Sequence, residues 1–400
     1  MENTTSPYRI SSANSDNHLM AIAKMASDQY ANGEYVEEIA QTYFDNCHYD
    51  WGTTRLIWDK KHLIHHWGVW GYSMRLESVL LQVASVGAVV TLEPYRKRGL
   101  MQQAALASFE SMYQQGYDLS ILRGRHYVKF GYARAWNYIT YRLKSDEIPD
   151  LPIKHPYQKL DTEHIQAMDS VYNQTHQSFN GTAVRPTYRN KDSDGITAYG
   201  WFNEIGELAG YVRAAAPDDD KKTWQCLEAA GDPQQALAVL NELFKQGEYE
   251  SLTFFTLPPQ HPLLQFIRTR DCIVETKYFS NSGWRVRIVN LHSTWEKIRS
   301  LLETRLQHSQ FANWKGKLLL DAGKQHSVLD IANGIIQVVE AQSTEHCVHG
   351  GAGIGRLVIG SDEPVEVIRQ EKITCTGDAL QLTTVLFPNL YPLLSHWDEC

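Results

Sequence analysis

Residues 86–132 read VGAVVTLEPYRKRGLMQQAALASFESMYQQGYDLSILRGRHYVKFGY and carry a sequence of structural signals. The apolar run at the start predicts a strand. A basic turn follows it, and apolar side chains then recur at helical spacing until Gly116 ends the helix. A second strand is predicted at residues 118–122, and an aromatic box closes the stretch. The stretch therefore predicts strand, turn, helix and strand in succession.

The basic turn contains Arg96, Lys97, Arg98 and Gly99. The first amides of a helix lack partners and lie at the positive end of its dipole, so such a turn favours anions. Glycine lets the backbone approach the anion closely. This pattern points to a pyrophosphate as ligand. A solvated basic turn before a surface helix is the alternative, and the turn alone leaves it open.

Helix and strand signals also alternate along the rest of the chain. Strands are predicted at residues 62–67 and 72–76, with turns or bulges between them. A proline-rich stretch at residues 147–152 marks a linker, and another strand is predicted to open a third unit near residue 285. These signals predict an α/β (α+β) protein with three domains, which comprise residues 1–149, 150–284 and 285–400.

Composition narrows the class of protein. The 400 residues are 43% hydrophobic and 21% charged, as in globular proteins, and no apolar run is long enough to span a membrane. The net charge of −8 disfavours nucleic acid as a partner, and most of it falls after residue 150. Six cysteines without a CxxC pair favour a reducing cytoplasm.

The turn and the aromatic box together resemble the Gcn5-related N-acetyltransferase (GNAT) superfamily. An R-x-x-G helix start is followed about thirty residues later by the box Tyr127-Val128-Lys129-Phe130-Gly131-Tyr132. The resemblance implies that acetyl-CoA is the co-substrate, with its pantetheine along the first strand and its pyrophosphate in the loop. Met101 departs from the family pattern, which has a small residue there. The implied cofactor-binding residues are Val86, Ala88, Val89, Val90, Arg96, Lys97, Arg98, Gly99, Leu100 and Met101.

Further fragments resemble the Eis-type (enhanced intracellular survival) branch of that superfamily. They include the segments at residues 171–173, 180–186, 257–263 and 284–289, which occur in family order. The resemblance implies a GNAT domain, a degenerate second GNAT-like domain and a sterol-carrier-protein-like domain. It also implies a homo-oligomer, either a trimer or a hexamer.

Two catalytic roles follow from this resemblance. Tyr127 occupies the position of the family's general acid, and a tyrosine hydroxyl is a suitable proton donor to a thiolate. The terminal carboxylate, which belongs to Cys400 here, is the implied general base. Packing of Tyr127 at a corner and fraying of the tail are the structural alternatives. The apolar, aromatic sequence at residues 386–397 argues for a docked tail.

The predicted activity is direct acetyl transfer to a primary amine, such as an aminoglycoside, a polyamine or a lysine side chain. The acidic charge beyond residue 150 suits a cationic acceptor. A decayed CoA-binding or acyl-binding module remains the alternative function. Residues 62–66, HLIHH, lack acidic or cysteine partners at useful spacing, so we predict structural histidines and no metal.

Overall fold

The computed structural model describes residues 7–45, 47–188, 195–216, 222–340 and 343–399. Its strands are β1 (Arg9–Ser12), β2 (Arg55–Asp59), β3 (His62–Leu76), β4 (Val79–Thr91), β5 (Leu119–Arg123), β6 (Ala133–Arg134), β7 (Tyr138–Lys144), β8 (Tyr157–Lys159), β9 (Thr197–Phe202), β10 (Leu208–Ala215), β11 (Thr223–Ala230), β12 (Ser251–Phe254), β13 (Cys272–Lys277), β14 (Trp284–Ile288), β15 (Gly316–Asp321), β16 (His326–Ala332), β17 (Ile335–Val339), β18 (His346–His349) and β19 (Thr374–Cys375).

The α-helices are α1 (Ser15–Tyr30), α2 (Val36–Ile39), α3 (Leu100–Gln114), α4 (Ile165–Thr175), α5 (Pro233–Lys245), α6 (Leu264–Ile267), α7 (Leu291–Gln307), α8 (Gly353–Ile359), α9 (Pro364–Gln370) and α10 (Ala379–Leu386). A π-helix at Ala40–Asp45 continues α2. Short 3₁₀ turns include Arg125–Phe130 after β5 and His396–Asp398 near the end of the chain. The prediction of a mixed α/β protein is confirmed.

The first sheet has the strand order β1-β2-β3-β4-β5-β14-β6. Its centre is the long antiparallel pair β3 and β4. The two strands predicted at residues 62–67 and 72–76 form one continuous strand, so the predicted break was wrong, whereas a bulge-type register shift does occur between His66 and Gly68. Position 68, inside β3, requires glycine, because a Cβ there would come within 2.9 Å of the Gly87 carbonyl oxygen.

The second sheet has the order β13-β7-β12-β11-β10-β9-β8. It repeats one motif of the first sheet: β4 and β5 are parallel strands joined by α3, and β11 and β12 are parallel strands joined by α5. The two helix starts differ. Asp232 caps α5 by accepting a hydrogen bond from the Gln235 amide, whereas Gly99 precedes α3 without a side-chain cap. An anion is therefore disfavoured at α5 and favoured at α3.

The third sheet has the order β17-β16-β15-β18-β19 and packs with α7 and α10, whereas α8 packs on β14 and β6 of the first sheet. The largest apolar cluster joins it to the first sheet, with Trp284 of β14, Trp295 of α7 and Leu320 of β15 all buried. The third unit therefore shares a core with the first one.

Two strands near the predicted domain limits, at residues 150 and 285, belong to the sheet of a different predicted domain. The strand β7 precedes the first limit but belongs to the second sheet, and β14 completes the first sheet between β5 and β6. The chain thus leaves the first sheet, builds the second and returns. The proline-rich stretch at residues 147–152 follows the crossing and does not mark it.

Candidate active site

A split between β4 and β5 creates the site. The two strands pair only from Val83 to Val86 on β4 and from Leu119 to Leu122 on β5. Beyond Val86, β4 continues to Thr91, while β5 ends at Arg123 and the chain turns away. The strand edge at residues 87–91 therefore lacks β5 as a neighbour, and a wedge-shaped opening forms at that end of the sheet.

A β-bulge on β4 fixes this opening. Ala88 and Val89 stand opposite Trp67 alone, and Ala88 has a φ of 46°. The ring of His66 holds the bulge, because its Nδ1 lies 2.6 Å from the Ala88 carbonyl oxygen and must donate to it. Its Nε2 then accepts from the Tyr49 hydroxyl at 2.7 Å. Two buried side chains thus determine where the strand turns outward.

The basic turn lies where β4 leads into α3. Gly99 has a φ of 76° and is the N-cap of this fifteen-residue helix. The Arg96 Nε donates to the Thr91 carbonyl oxygen at 3.2 Å. Arg98 is turned away, since it donates to the Tyr8 hydroxyl at 2.6 Å and to the Pro94 carbonyl oxygen at 3.0 Å. Arg96 is consequently the arginine of the turn that faces the opening.

A cavity of about 610 Å³ occupies the opening and brings together four of the ten predicted cofactor residues and the predicted acid. The predicted residues along its wall are Val89, Val90, Arg96, Met101 and Tyr127. The remaining predicted residues lie outside this wall. Val86 and Leu100 are core residues, 3% and 2% exposed. Ala88 forms the bulge, Lys97 and Arg98 belong to the basic turn, and Gly99 is the N-cap of α3.

Tyr127 lies in the 3₁₀ turn that follows β5, across the opening from β4. Its ring packs edge-on against Trp67, with centroids 5.8 Å apart. Burial raises the pKa of its hydroxyl to about 12, and the nearby Tyr30 contributes. Tyr127 is therefore protonated at neutral pH and can act as a proton donor.

The profile of the acetyltransferase (GNAT) domain matches residues 20–135, which include the split, the bulge, the turn and Tyr127. Residues 20–135 are a GNAT acetyltransferase domain. The chain is accordingly an acyl-CoA N-acyltransferase, and acetyltransferases of this kind use acetyl-CoA as co-substrate. None of the curated proteins compared matches the chain by sequence.

Solved structures share the fold over nearly the whole length. A GCN5-related N-acetyltransferase from Anabaena variabilis is 15% identical with a TM-score of 0.73, covering 96% of this chain and 98% of its own. A probable N-acyltransferase from Enterococcus faecalis is 14% identical with a TM-score of 0.74, covering 97% and 99%. Eis1 from Mycobacterium abscessus is 13% identical with a TM-score of 0.67, covering 96% and 98%.

Sequence reasoning missed part of the wall of the acetyltransferase cavity. These residues are Gln29, Tyr30, Thr91, His126 and Lys129. His126 and Lys129 flank Tyr127 in the quoted stretch, so their proximity could have been found. Tyr30 ends α1, and only the packing of α1 brings it to the cavity. A local pattern does not contain that information.

The predicted base, Cys400, lies outside the described residues. The preceding tail, residues 387–399, can be followed to Glu399. The Glu399 carboxylate accepts hydrogen bonds from the Tyr138 hydroxyl at 2.5 Å and from the Trp284 Nε1 at 2.9 Å. Its other oxygen lies 3.6 Å from Arg123, the last residue of β5. The described tail therefore reaches the end of β5 from which the Tyr127 turn starts.

His65 and His66 have structural roles in the acetyltransferase domain. His65 and His66 are buried, and His65 Nδ1 lies 2.7 Å from the Thr91 hydroxyl oxygen. Burial lowers the pKa of His65 to about 3 and that of His66 to about 4, so both rings are neutral. Across the described ranges, no group of three or more His, Cys, Asp or Glu side chains is placed to hold a metal ion. Nor does any helix in those ranges combine the length and the hydropathy of a membrane span.

Four buried histidines should make the protein sensitive to mild acid. Burial lowers the pKa of His176 to about 4 and that of His261 to about 3, as it does for His65 and His66. Between about pH 6.5 and pH 4 the unfolded chain then binds more protons than the folded one. The free energy of unfolding should therefore decrease as the pH is lowered through that window, by up to about 1.4 kcal/mol per pH unit for each histidine.

Urea denaturation at a series of pH values from 7.5 to 5 measures this loss. The variant His261→Gln should make the pH dependence shallower, because it removes one of the four groups. His62→Gln changes an exposed histidine and should leave the dependence unaltered. An unfolding free energy that stays constant over this range would contradict the prediction.

Proposed function

We propose that the protein transfers an acetyl group from acetyl-CoA directly to a primary amine within a ternary complex. The observation that carries the proposal is the cavity at the β4–β5 split, where Arg96, Met101 and Tyr127 meet. One wall offers an anion-binding helix start, and the opposite wall offers a protonated tyrosine. An anion-binding helix start opposite a protonated tyrosine suits a thioester that is attached to a phosphate-bearing molecule, as in acetyl-CoA.

The positive charge and the uncapped helix start on the cofactor side of the cavity support acetyl-CoA as its ligand. The pyrophosphate would lie at the start of α3, where Gly99, Leu100 and Met101 present backbone amides and Arg96 adds positive charge. Lys97 and Arg98 strengthen the local field from the outer side of the turn. The pantetheine would follow the free edge of β4 at Val89 and Val90 toward the split.

The reaction needs two proton transfers. The amine nitrogen forms a bond to the thioester carbonyl carbon as the carbon–sulfur bond breaks. The departing thiolate takes a proton from the Tyr127 hydroxyl, and the ammonium proton of the acceptor goes to the base. We assign the base to the terminal carboxylate of Cys400. This assignment is supported by the course of the tail, which reaches Arg123 through Glu399.

We also propose an Eis-like architecture for the whole chain. The chain-long resemblance and the likeness to Eis1 of Mycobacterium abscessus support it. The second unit would be a degenerate GNAT-like domain, since Asp232 blocks anion binding at α5. The third would be a sterol-carrier-protein-like domain, and the assembly a trimer or hexamer. The predicted domain limits, at residues 1–149, 150–284 and 285–400, belong to this proposal.

A cationic acceptor is the substrate class that the charge supports best. Residues 151–400 carry a net charge of −7, whereas residues 1–150 carry −1. Aminoglycosides, polyamines and lysine side chains all offer primary amines with positive charge. Long-range attraction would raise their local concentration and would weaken at high salt.

Release of free thiol from acetyl-CoA in the presence of a panel of amines tests the function. We expect turnover with at least one cationic primary amine and none with its N-acetylated form. Tight CoA binding without thiol release for any amine would contradict the proposal and favour the decayed module.

A further inference from the structure

A cluster of charged side chains is buried where the tail meets the second unit. Asp398 of the tail is fully buried and accepts hydrogen bonds from the Arg185 Nε at 3.1 Å and the Thr187 hydroxyl at 2.7 Å. The Tyr172 hydroxyl lies 3.2 Å from its other oxygen. The last described turn of the chain is thus bound by three side chains from residues 172–187.

The same arginine continues the cluster into the second sheet. The guanidinium of Arg185 forms a bidentate pair with Glu228 on β11, at 2.9 and 2.6 Å. Arg213 on β10 lies 2.9 Å from Glu228 as well. The Ser395 hydroxyl of the tail donates to Glu228 at 2.6 Å. We call Arg185, Thr187, Arg213, Glu228, Ser395 and Asp398 the tail anchor.

The tail anchor contributes more to the position of the tail than to the free energy that binds the tail to the protein. Two arginines and two carboxylates balance in charge, and desolvation of buried ions offsets much of their attraction. The tail already buries Leu390, Leu393, Leu394 and Trp397. Apolar contacts are tolerant of small shifts, whereas the Arg185 guanidinium donates to both carboxylate oxygens of Asp398, at 3.1 and 3.3 Å, and such a bidentate pair admits one geometry. The cluster therefore determines the register of the tail.

We propose that the tail anchor is a positioning device for the catalytic base, so that the second unit contributes to catalysis in the first. The inference rests on the proposed function, because it needs a base at the end of the tail. Asp398 is fixed by Arg185 and Thr187 of the second unit, and the next residue, Glu399, is fixed by Arg123 and Trp284 of the first sheet together with Tyr138 of the second. The last two described residues are therefore both held by buried partners, and they directly precede the residue that carries the proposed base.

A double-mutant cycle tests the proposal. One change is Asp398→Asn, which keeps the shape of the side chain and removes its charge. The other appends a single residue after Cys400 and so displaces the proposed base. Alone, each change should lower kcat on the order of 10²-fold, as expected for a misplaced catalytic group. In the extended chain Asp398→Asn should cost nothing further, because the base is already displaced.

The KM for acetyl-CoA should stay unchanged in every variant, since neither Asp398 nor Thr187 lines the cofactor cavity. Thr187→Val removes one hydrogen bond of Asp398 and should give a smaller loss of kcat with the fold intact. A matched control is Asp362→Asn, which weakens an ion pair with Arg356 outside the anchor and should leave kcat unaltered.

The outcomes separate the two proposals. If the extended chain keeps full kcat, the base assignment fails. If extension lowers kcat but Asp398→Asn and Thr187→Val do not, the tail anchor has no positioning role. Additive losses from extension and Asp398→Asn would likewise overturn it, because they would show that the anchor acts elsewhere. A rise of the KM for acetyl-CoA in parallel with the loss of kcat would indicate a general structural effect instead.

Discussion

Replacing Tyr127 with phenylalanine should lower kcat by about 10²–10⁴-fold, the usual contribution of a positioned general acid. The ring would still pack against Trp67, so the fold and the cavity should be preserved. Only the proton needed by the departing thiolate is lost. The KM for acetyl-CoA should remain close to that of the native protein, as the phosphate site at α3 is untouched.

Steady-state thiol release at saturating amine measures this effect. Tyr113→Phe is a matched control, because Tyr113 is 51% exposed on α3 and should be silent. The pH profile adds a second readout. Since burial raises the pKa of Tyr127 to about 12, the acid stays protonated, and kcat should not decline near pH 10 on its account. Full turnover in the Tyr127→Phe variant would remove the tyrosine from the mechanism.

The second large effect concerns stability. Glu228→Gln should lower the free energy of unfolding by about 3–5 kcal/mol, because it leaves Arg185 and Arg213 buried with Asp398 as the one remaining carboxylate of the anchor. Burial alone would raise the pKa of Glu228, but the two arginines hold it well below its usual range. The carboxylate is therefore ionised at every pH at which the protein is expected to be folded.

Urea denaturation at pH 7.5 measures this loss. Glu250→Gln is the matched control, since Glu250 forms an exposed pair with Lys222 and such pairs contribute about 0–1 kcal/mol. The two variants make the same chemical change in opposite environments. Equal and small losses from both would mean that the buried cluster is not a strong structural element.

The sequence was informative wherever the signal was local. The order of strand, basic turn, helix and strand within residues 86–132 was predicted and is confirmed, because helical spacing and the break at Gly116 are properties of neighbouring residues. The same stretch brought Val89, Val90, Arg96 and Met101 to one cavity wall with Tyr127. All of these residues come from a single motif.

Features that join distant residues were not predictable in this way. The ring of His66 fixes the bulge at Ala88 across two strands, and neither residue has a distinctive pattern. Arg185 and Asp398 are separated by 213 positions. Their pairing depends on how the second unit packs on the tail. The placement of β14 in the first sheet was missed for the same reason, because an apolar strand does not specify its partner.

The position of β14 also has a consequence for biosynthesis. Until residue 288 has left the ribosome, β5 is an unprotected edge of the first sheet, and β6 has no neighbouring strand. The second sheet, from β7 to β13, is made entirely within that interval. The acetyltransferase sheet of a nascent chain therefore stays incomplete while the second sheet assembles. Chaperones would bind the exposed edge during this period. A fragment that consists of residues 1–150 alone would keep the edge of β5 exposed permanently.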